Sequence, residues 1–102
     1  MNSGLSQIAL RQLTNVFGKF SSLDKVILFG SRAKGVQERG SDIDIAVKGL
    51  NDRDVIRLSM CLNEETELPY FFDVVDLDSV VSPDLISHIQ RVGRVIYEGG
   101  RD

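Results

Sequence analysis

Two aspartates separated by one residue, Asp42 and Asp44, are the part of the sequence best suited to chemistry. They begin the alternating stretch 42–47 (DIDIAV), and successive side chains of a strand point to opposite faces, so both carboxylates are expected on one face. At about 4–6 Å two such charges repel by roughly 3–4 kcal/mol at an effective dielectric of about 20. A divalent cation would offset this repulsion, and Mg²⁺ prefers carboxylate oxygens.

An acid pair has a simpler interpretation, in which one aspartate faces solvent at a strand end and the other caps a turn. The residues before the pair favour the chemical interpretation. Gly30 and Ser31 follow directly on the apolar strand predicted at 26–29, and Arg32 and Lys34 come next. A glycine turn with free amides and nearby cations can form an anion-binding nest. Phosphate binding beside a metal-binding acid pair indicates a nucleotide site.

A third acid lies on a later strand. Asp73 stands in the middle of the aromatic and β-branched stretch 70–77, where an unpaired buried charge would be costly. We therefore expect Asp73 to be buried and to bind the same metal as Asp42 and Asp44. Asp76 points to the opposite face near the strand end and is interpreted as a turn acid.

These residues resemble the signature of the nucleotidyltransferase superfamily related to DNA polymerase β, which is Gly-Ser, a gap, and then Asp-x-Asp or Asp-x-Glu. Gly30, Ser31, Asp42 and Asp44 match it. In size and layout the chain resembles the minimal nucleotidyltransferases (MNT proteins), which are often encoded beside a HEPN-domain protein as its antitoxin. The resemblance covers nearly the whole chain, from the strand at 26–29 to a last strand at 95–97.

The resemblance implies a Mg²⁺-dependent nucleotidyltransferase that binds two metal ions and uses ATP. The implied catalytic residues, which are also the metal ligands, are Asp42, Asp44 and Asp73. The implied nucleotide-binding residues are Gly30, Ser31, Arg32 and Lys34. The implied fold is the polymerase-β-like palm in minimal form.

A chain of 102 residues leaves no room for a separate acceptor-binding domain, so the acceptor site is expected to come from a partner. The resemblance implies which partner this is. AMP would pass to a hydroxyl group, expected to be a tyrosine of a HEPN toxin encoded by an adjacent gene, so that the chain acts as an antitoxin. The alternative is a non-catalytic binding module that masks its partner. Transfer to a small molecule such as an aminoglycoside would require an added domain and ranks lowest.

Composition agrees with a single folded domain over residues 1–102. The chain has 42% hydrophobic and 26% charged residues and a net charge of −3, which argues against a domain that grips DNA through its phosphates. One cysteine, Cys61, excludes an internal disulfide and suits the cytoplasm. No apolar run is long enough to span a membrane. Cys61 is interpreted as a core residue and His88 as a surface residue; self-association stays open.

Periodicity predicts an α/β fold, a two-layer mixed β-sheet packed by helices. The first helix is expected to bury a stripe that includes Ile8 and Phe17, and a helix starting at Pro83 is expected to bury Leu85, Ile89 and Val92. We predict a short helical segment at 31–35 and a mobile loop at 36–41. The predicted helices are 5–20, 51–67 and 83–93, and the predicted strands are 26–29, 42–47, 70–77 and 95–97.

Overall fold

The computed structural model describes residues 7–29, 42–66, 68 and 70–99, and at Asp42 it describes the backbone and not the side chain. The helices are α1 (Gln7–Phe17), α2 (Asp52–Met60, extended by a π-helical turn at Cys61–Glu65) and α3 (Pro83–Val92). The strands are β1 (Lys25–Phe29), β2 (Asp42–Lys48), β3 (Phe71–Asp76) and β4 (Arg94–Glu98). The elements follow one another in the order α1-β1-β2-α2-β3-α3-β4. The predicted segments 31–35 and 36–41 lie outside the described residues.

The four strands form one mixed sheet in the order β3-β2-β1-β4. β1 pairs antiparallel with both β2 and β4, and β2 pairs parallel with β3. A parallel pair needs a crossover connection, and α2 supplies it between β2 and β3. The predicted mixed α/β fold is confirmed. None of the helices in the described ranges combines the length and the apolar character that crossing a bilayer requires.

The alternation predicted for β2 is confirmed. Ile43, Ile45 and Val47 are fully buried in the main core, and Ala46 is buried in a second cluster on the opposite face. The main core lies between the sheet and the helices α1 and α2. Its largest fully buried side chains include Leu13, Phe17, Leu23, Val26, Leu28, Leu58, Leu62 and Phe72.

Helix α1 buries a narrower stripe than predicted. Its buried residues are Ala9, Leu13, Val16 and Phe17, at the i, i+4, i+7 and i+8 spacing of one helical face. Ile8, which we expected to be buried, is 71% exposed. One residue turns the helix by about 100°, which carries Ile8 away from the stripe.

Helix α3 covers part of the second face of the sheet. It starts where predicted, because the Ser82 side chain accepts a hydrogen bond from the amide of Leu85 and Pro83 occupies the first turn. Leu85, Ile89 and Val92 contact the cluster formed with Phe29 and Ala46, as predicted.

The end of β2 is fixed by the turn that follows β3. The carboxylate of Asp76 accepts hydrogen bonds from the Asp78 amide at 3.0 Å and the Ser79 hydroxyl at 2.9 Å, so the interpretation of Asp76 as a turn acid is confirmed. Asp78 in turn accepts from the Gly49 amide at 2.9 Å and the Lys48 ammonium at 3.1 Å. These contacts, the Gly49 hydrogen bond first, lower the pKa of Asp78 below its ordinary value of 3.8.

We expect Asp78→Asn to destabilise the fold at neutral pH by about 1 kcal/mol at most, because the groups are exposed and solvent screens them. A carboxyl whose pKa is lower in the folded state stabilises the fold above its unfolded pKa, and this stabilisation is lost as the pH falls through the folded-state pKa. The difference in urea midpoint between wild type and variant should therefore shrink below pH 3.8. A difference that persists unchanged in acid would contradict this, and Glu64→Gln, an exposed acid elsewhere, is the control.

Candidate active site

The register of the two parallel strands brings two of the predicted acids together. Asp44 of β2 is paired with Asp73 of β3, and Asp42 is paired with Phe71 two positions earlier. Register partners on adjacent strands direct their side chains to the same face, and the strands lie about 4.8 Å apart. Two carboxylates therefore stand side by side on one face of the sheet. The side chain of Asp42 lies outside the described part of the chain.

The prediction that Asp73 is buried is wrong. Asp73 is exposed, whereas Asp44 is partly buried. The reason is topological: β3 is an edge strand, and α3 covers this face from Ala46 and Val75 onwards. Among the described residues the acid pair lies just beyond that cover, and Asp73 is exposed.

Two ring side chains, Phe29 and His88, lie on the β1 side of Asp44. Phe29, the last residue of β1, is the register partner of Asp44 and is buried. The His88 ring packs edge-on against Phe29, with centroids 6.1 Å apart and planes at 80°. His88 is thus half-buried and not the surface residue that we predicted. Its spacing was informative, because Leu85, His88, Ile89 and Val92 follow the i, i+3, i+4, i+7 pattern of one helical face.

The predicted phosphate-binding residues follow directly on Phe29 in the sequence. Gly30, Ser31, Arg32 and Lys34 lie outside the described residues, so their role stays a prediction. The described part of β1 ends opposite Asp44. The chain therefore enters this segment beside the acid pair.

The donor set suits a hard cation. Two adjacent carboxylates offer the oxygen ligands that Mg²⁺ prefers. Over the ranges the structure covers, no cluster of three or more His, Cys, Asp or Glu side chains is close enough to hold a metal ion. The predicted set of three includes Asp42, whose side chain is not among those described.

Cys61 does not belong to this site. It lies in the π-helical turn and packs, half-buried, against the main core. Burial, and secondarily Glu65, raises the pKa of its thiol. A raised pKa disfavours the nucleophilic thiolate, which agrees with the interpretation of Cys61 as a packing residue.

Asn63 is a polar residue that the sequence pattern does not single out. Its carboxamide accepts a hydrogen bond from the Phe72 amide at 2.7 Å and donates one to the Phe72 carbonyl at 3.0 Å. Phe72 directly precedes Asp73. Asparagine is unfavourable inside helices because it bonds to backbone groups, and this weak signal alone could have drawn attention to Asn63.

The family model described as polymerase beta, nucleotidyltransferase matches residues 11–102. A solved toxin–antitoxin complex with AMP-PNP is similar, at 29% identity over 92% of this chain and 74% of that chain, with a TM-score of 0.67. The toxin–antitoxin complex MntA–HepT is 24% identical over 91% of this chain and 73% of that chain, with a TM-score of 0.67.

A third similar structure is a tri-AMPylated HEPN toxin from Shewanella oneidensis in complex with its MNT antitoxin, at 23% identity over 92% of this chain and 73% of that chain, with a TM-score of 0.68. No protein of curated function matches the chain significantly. The structural likenesses below 25% identity concern the fold, while the family model covers most of the sequence and includes every predicted site residue. The chain belongs to the polymerase-β nucleotidyltransferase family.

Proposed function

We propose that the protein is a Mg²⁺-dependent protein adenylyltransferase that transfers AMP from ATP to a tyrosine hydroxyl of a HEPN-domain toxin, and so acts as the antitoxin in the cytoplasm. The observation that carries the proposal is the pairing of Asp44 with Asp73 on one open face of the sheet. Two carboxylates on one face supply the oxygen ligands that Mg²⁺ prefers, which supports a role in binding metal.

The metal ligands in this proposal are Asp44, Asp73 and Asp42. Two bound Mg²⁺ ions would stabilise the negative charge that develops on the attacking and leaving oxygens. In this arrangement the α-phosphate of ATP would lie beside these carboxylates, near the edge strand β3. Gly30 and Ser31 would hold the terminal phosphates through their amides.

The chemical step is an in-line displacement. The acceptor hydroxyl oxygen attacks the α-phosphorus and forms a new P–O bond, while the bond from that phosphorus to the oxygen bridging to the β-phosphate breaks. Pyrophosphate leaves with that oxygen, and Arg32 or Lys34 would neutralise its charge. The proton of the hydroxyl passes to the carboxylate of Asp73 and then to water.

The position of Asp73 suits a large acceptor. Because β3 is an edge strand and Asp73 is exposed on it, a tyrosine on the surface of a folded protein could reach the carboxylate. Two similar structures support a protein acceptor. One is a toxin–antitoxin complex with AMP-PNP, and the other contains a tri-AMPylated HEPN toxin.

The test is incubation with ATP labelled at the α-phosphate, Mg²⁺ and the HEPN-domain protein encoded by the adjacent gene. We expect label on a tyrosine of that protein, found by gel and mass spectrometry, and none when the label is on the γ-phosphate. Chelation of Mg²⁺ should abolish transfer. Asp52→Asn, an exposed acid at the start of α2, should transfer at the wild-type rate. Absence of α-label on any protein, or transfer of the γ-label, would refute the proposal.

A further inference from the structure

The π-helical turn that extends α2 directs one side chain at the strand carrying Asp73. Asn63 lies in this turn, at Cys61–Glu65, and bonds to both backbone groups of Phe72 at 2.7 and 3.0 Å. A carboxamide that accepts from an amide and donates to a carbonyl of one residue reproduces the contacts of a neighbouring strand. The backbone of Phe72 therefore has a side-chain partner on the side of β3 where the described residues form no strand.

The rest of the side chain is held as well. The Asn63 amide nitrogen also donates to the Ser59 carbonyl, four residues earlier, at 3.0 Å. Both hydrogens of the amide group and its oxygen are thus in use, and the half-buried side chain is fixed in orientation. The Phe72 side chain packs in the main core, and the residue is only 1% exposed. The residue before Asp73 is consequently anchored through its ring and both backbone groups.

An anchor at this place matters because Asp73 has little packing of its own. Edge strands fray and carry unpaired backbone groups, and Asp73 is exposed on such a strand. Its distance from Asp44 depends on how firmly β3 is held against β2. Displacement of a reacting group by about 1 Å can cost on the order of 10²-fold in rate.

We infer that Asn63 is a positioning residue for the reaction, which holds Phe72 so that the Asp73 carboxylate stays beside Asp44. The inference rests on the proposed function for its kinetic effect, and on the hydrogen bonds alone for its structural effect. Asn63 touches neither nucleotide nor acceptor in this role.

The experiment compares Asn63→Ala and Asn63→Asp with Thr66→Val in the full chain. Thr66→Val is the matched control, because it removes a side-chain hydrogen bond at the same helix end. That bond runs to the Leu62 carbonyl at 2.8 Å and not to β3. Asn63→Asp keeps the acceptor for the Phe72 amide and loses the donor for its carbonyl. Amide hydrogen exchange at Phe72, kcat, the KM for ATP and the Mg²⁺ dependence are measured in each.

For Asn63→Ala we expect Phe72 exchange to accelerate about tenfold or more, which corresponds to the loss of its hydrogen bond. We expect kcat to fall about 10–100-fold and the Mg²⁺ concentration for half-maximal rate to rise about tenfold. The KM for ATP should change less than about threefold, because the phosphate-binding side is untouched. Asn63→Asp should be impaired as well, because a carboxylate oxygen would face the Phe72 carbonyl in place of the donor. Thr66→Val should match the wild type in all four measurements.

Two results would overturn the inference. One is a wild-type kcat and Mg²⁺ dependence in Asn63→Ala despite faster exchange at Phe72. The other is an equal loss of kcat in Thr66→Val, which would assign the effect to general destabilisation. If the wild type transfers no AMP to any acceptor, the proposed function fails instead. The inference is then decided by whether the Mg²⁺-induced shift of the Asp73 amide resonance requires a higher Mg²⁺ concentration in Asn63→Ala.

Discussion

Asp44→Asn and Asp73→Asn are each expected to lower AMP transfer by at least about 10²–10³-fold, the effect of removing one group that stabilises transition-state charge. Asp73→Asn should not lower the melting temperature, because Asp73 is exposed on the edge strand and Asn has nearly the shape of Asp. Loss of activity with equal or higher stability is the pattern typical of functional residues.

The measurement is the rate of transfer from α-labelled ATP, beside the melting temperature of each variant. Asp76→Asn is not a suitable control, because Asp76 fixes a turn; Asp52→Asn is exposed and changes the charge equally. An active Asp73→Asn would exclude the proposed metal site. The double variant Asp42→Asn/Asp44→Asn also separates catalysis from masking: if it still suppresses the partner as well as the wild type does, binding alone is sufficient.

Gly49→Ala is expected to destabilise the fold by about 2–4 kcal/mol. Gly49 has φ of +102°, and an added Cβ would lie 2.5 Å from the Ser22 carbonyl oxygen and 2.9 Å from the Asp24 amide nitrogen. Both neighbours are backbone, so they cannot move as a side chain can. The Asp24 amide also donates to the Lys48 carbonyl at 2.8 Å, and that bond would be disturbed.

Thermal unfolding should show the melting temperature of Gly49→Ala lowered by roughly 10 °C or more. Gly18→Ala is the matched control, since its Cβ would find its nearest neighbour, the Thr14 carbonyl oxygen, at 3.4 Å. Gly18 directly follows the end of α1, and Gly18→Ala should change the free energy of unfolding by less than about 1 kcal/mol. Similar melting temperatures for the two variants would contradict the steric argument.

Sequence periodicity correctly predicted the features that depend on a single helix or strand. The alternation in 42–47 predicted β2 and its buried face, and Ser82 with Pro83 predicted the start of α3. Burial was predicted less well, because it depends on which element lies above a residue. Asp73 is exposed because β3 is the edge strand, and no pattern within β3 reveals its place in the sheet.

The register pairs Asp44 with Asp73, as a shared site requires, while their role as metal ligands stays a prediction. The contribution of Asn63 could not be predicted, because its partner Phe72 lies nine residues away and the π-helical turn that aims it has no sequence signature. Gly30, Ser31, Arg32 and Lys34 stay predictions from the family signature.

The placement of Asp73 on an outermost strand also limits how this fold can be enlarged. A fifth strand added along β3 would displace the Asn63 amide and enclose Asp73, whereas one added along β4, at the far edge, would leave the acid pair open. Fusions, tags and inserted hairpins should therefore be tolerated beside β4. Relatives that gained extra strands without losing catalysis are expected to have gained them on that side.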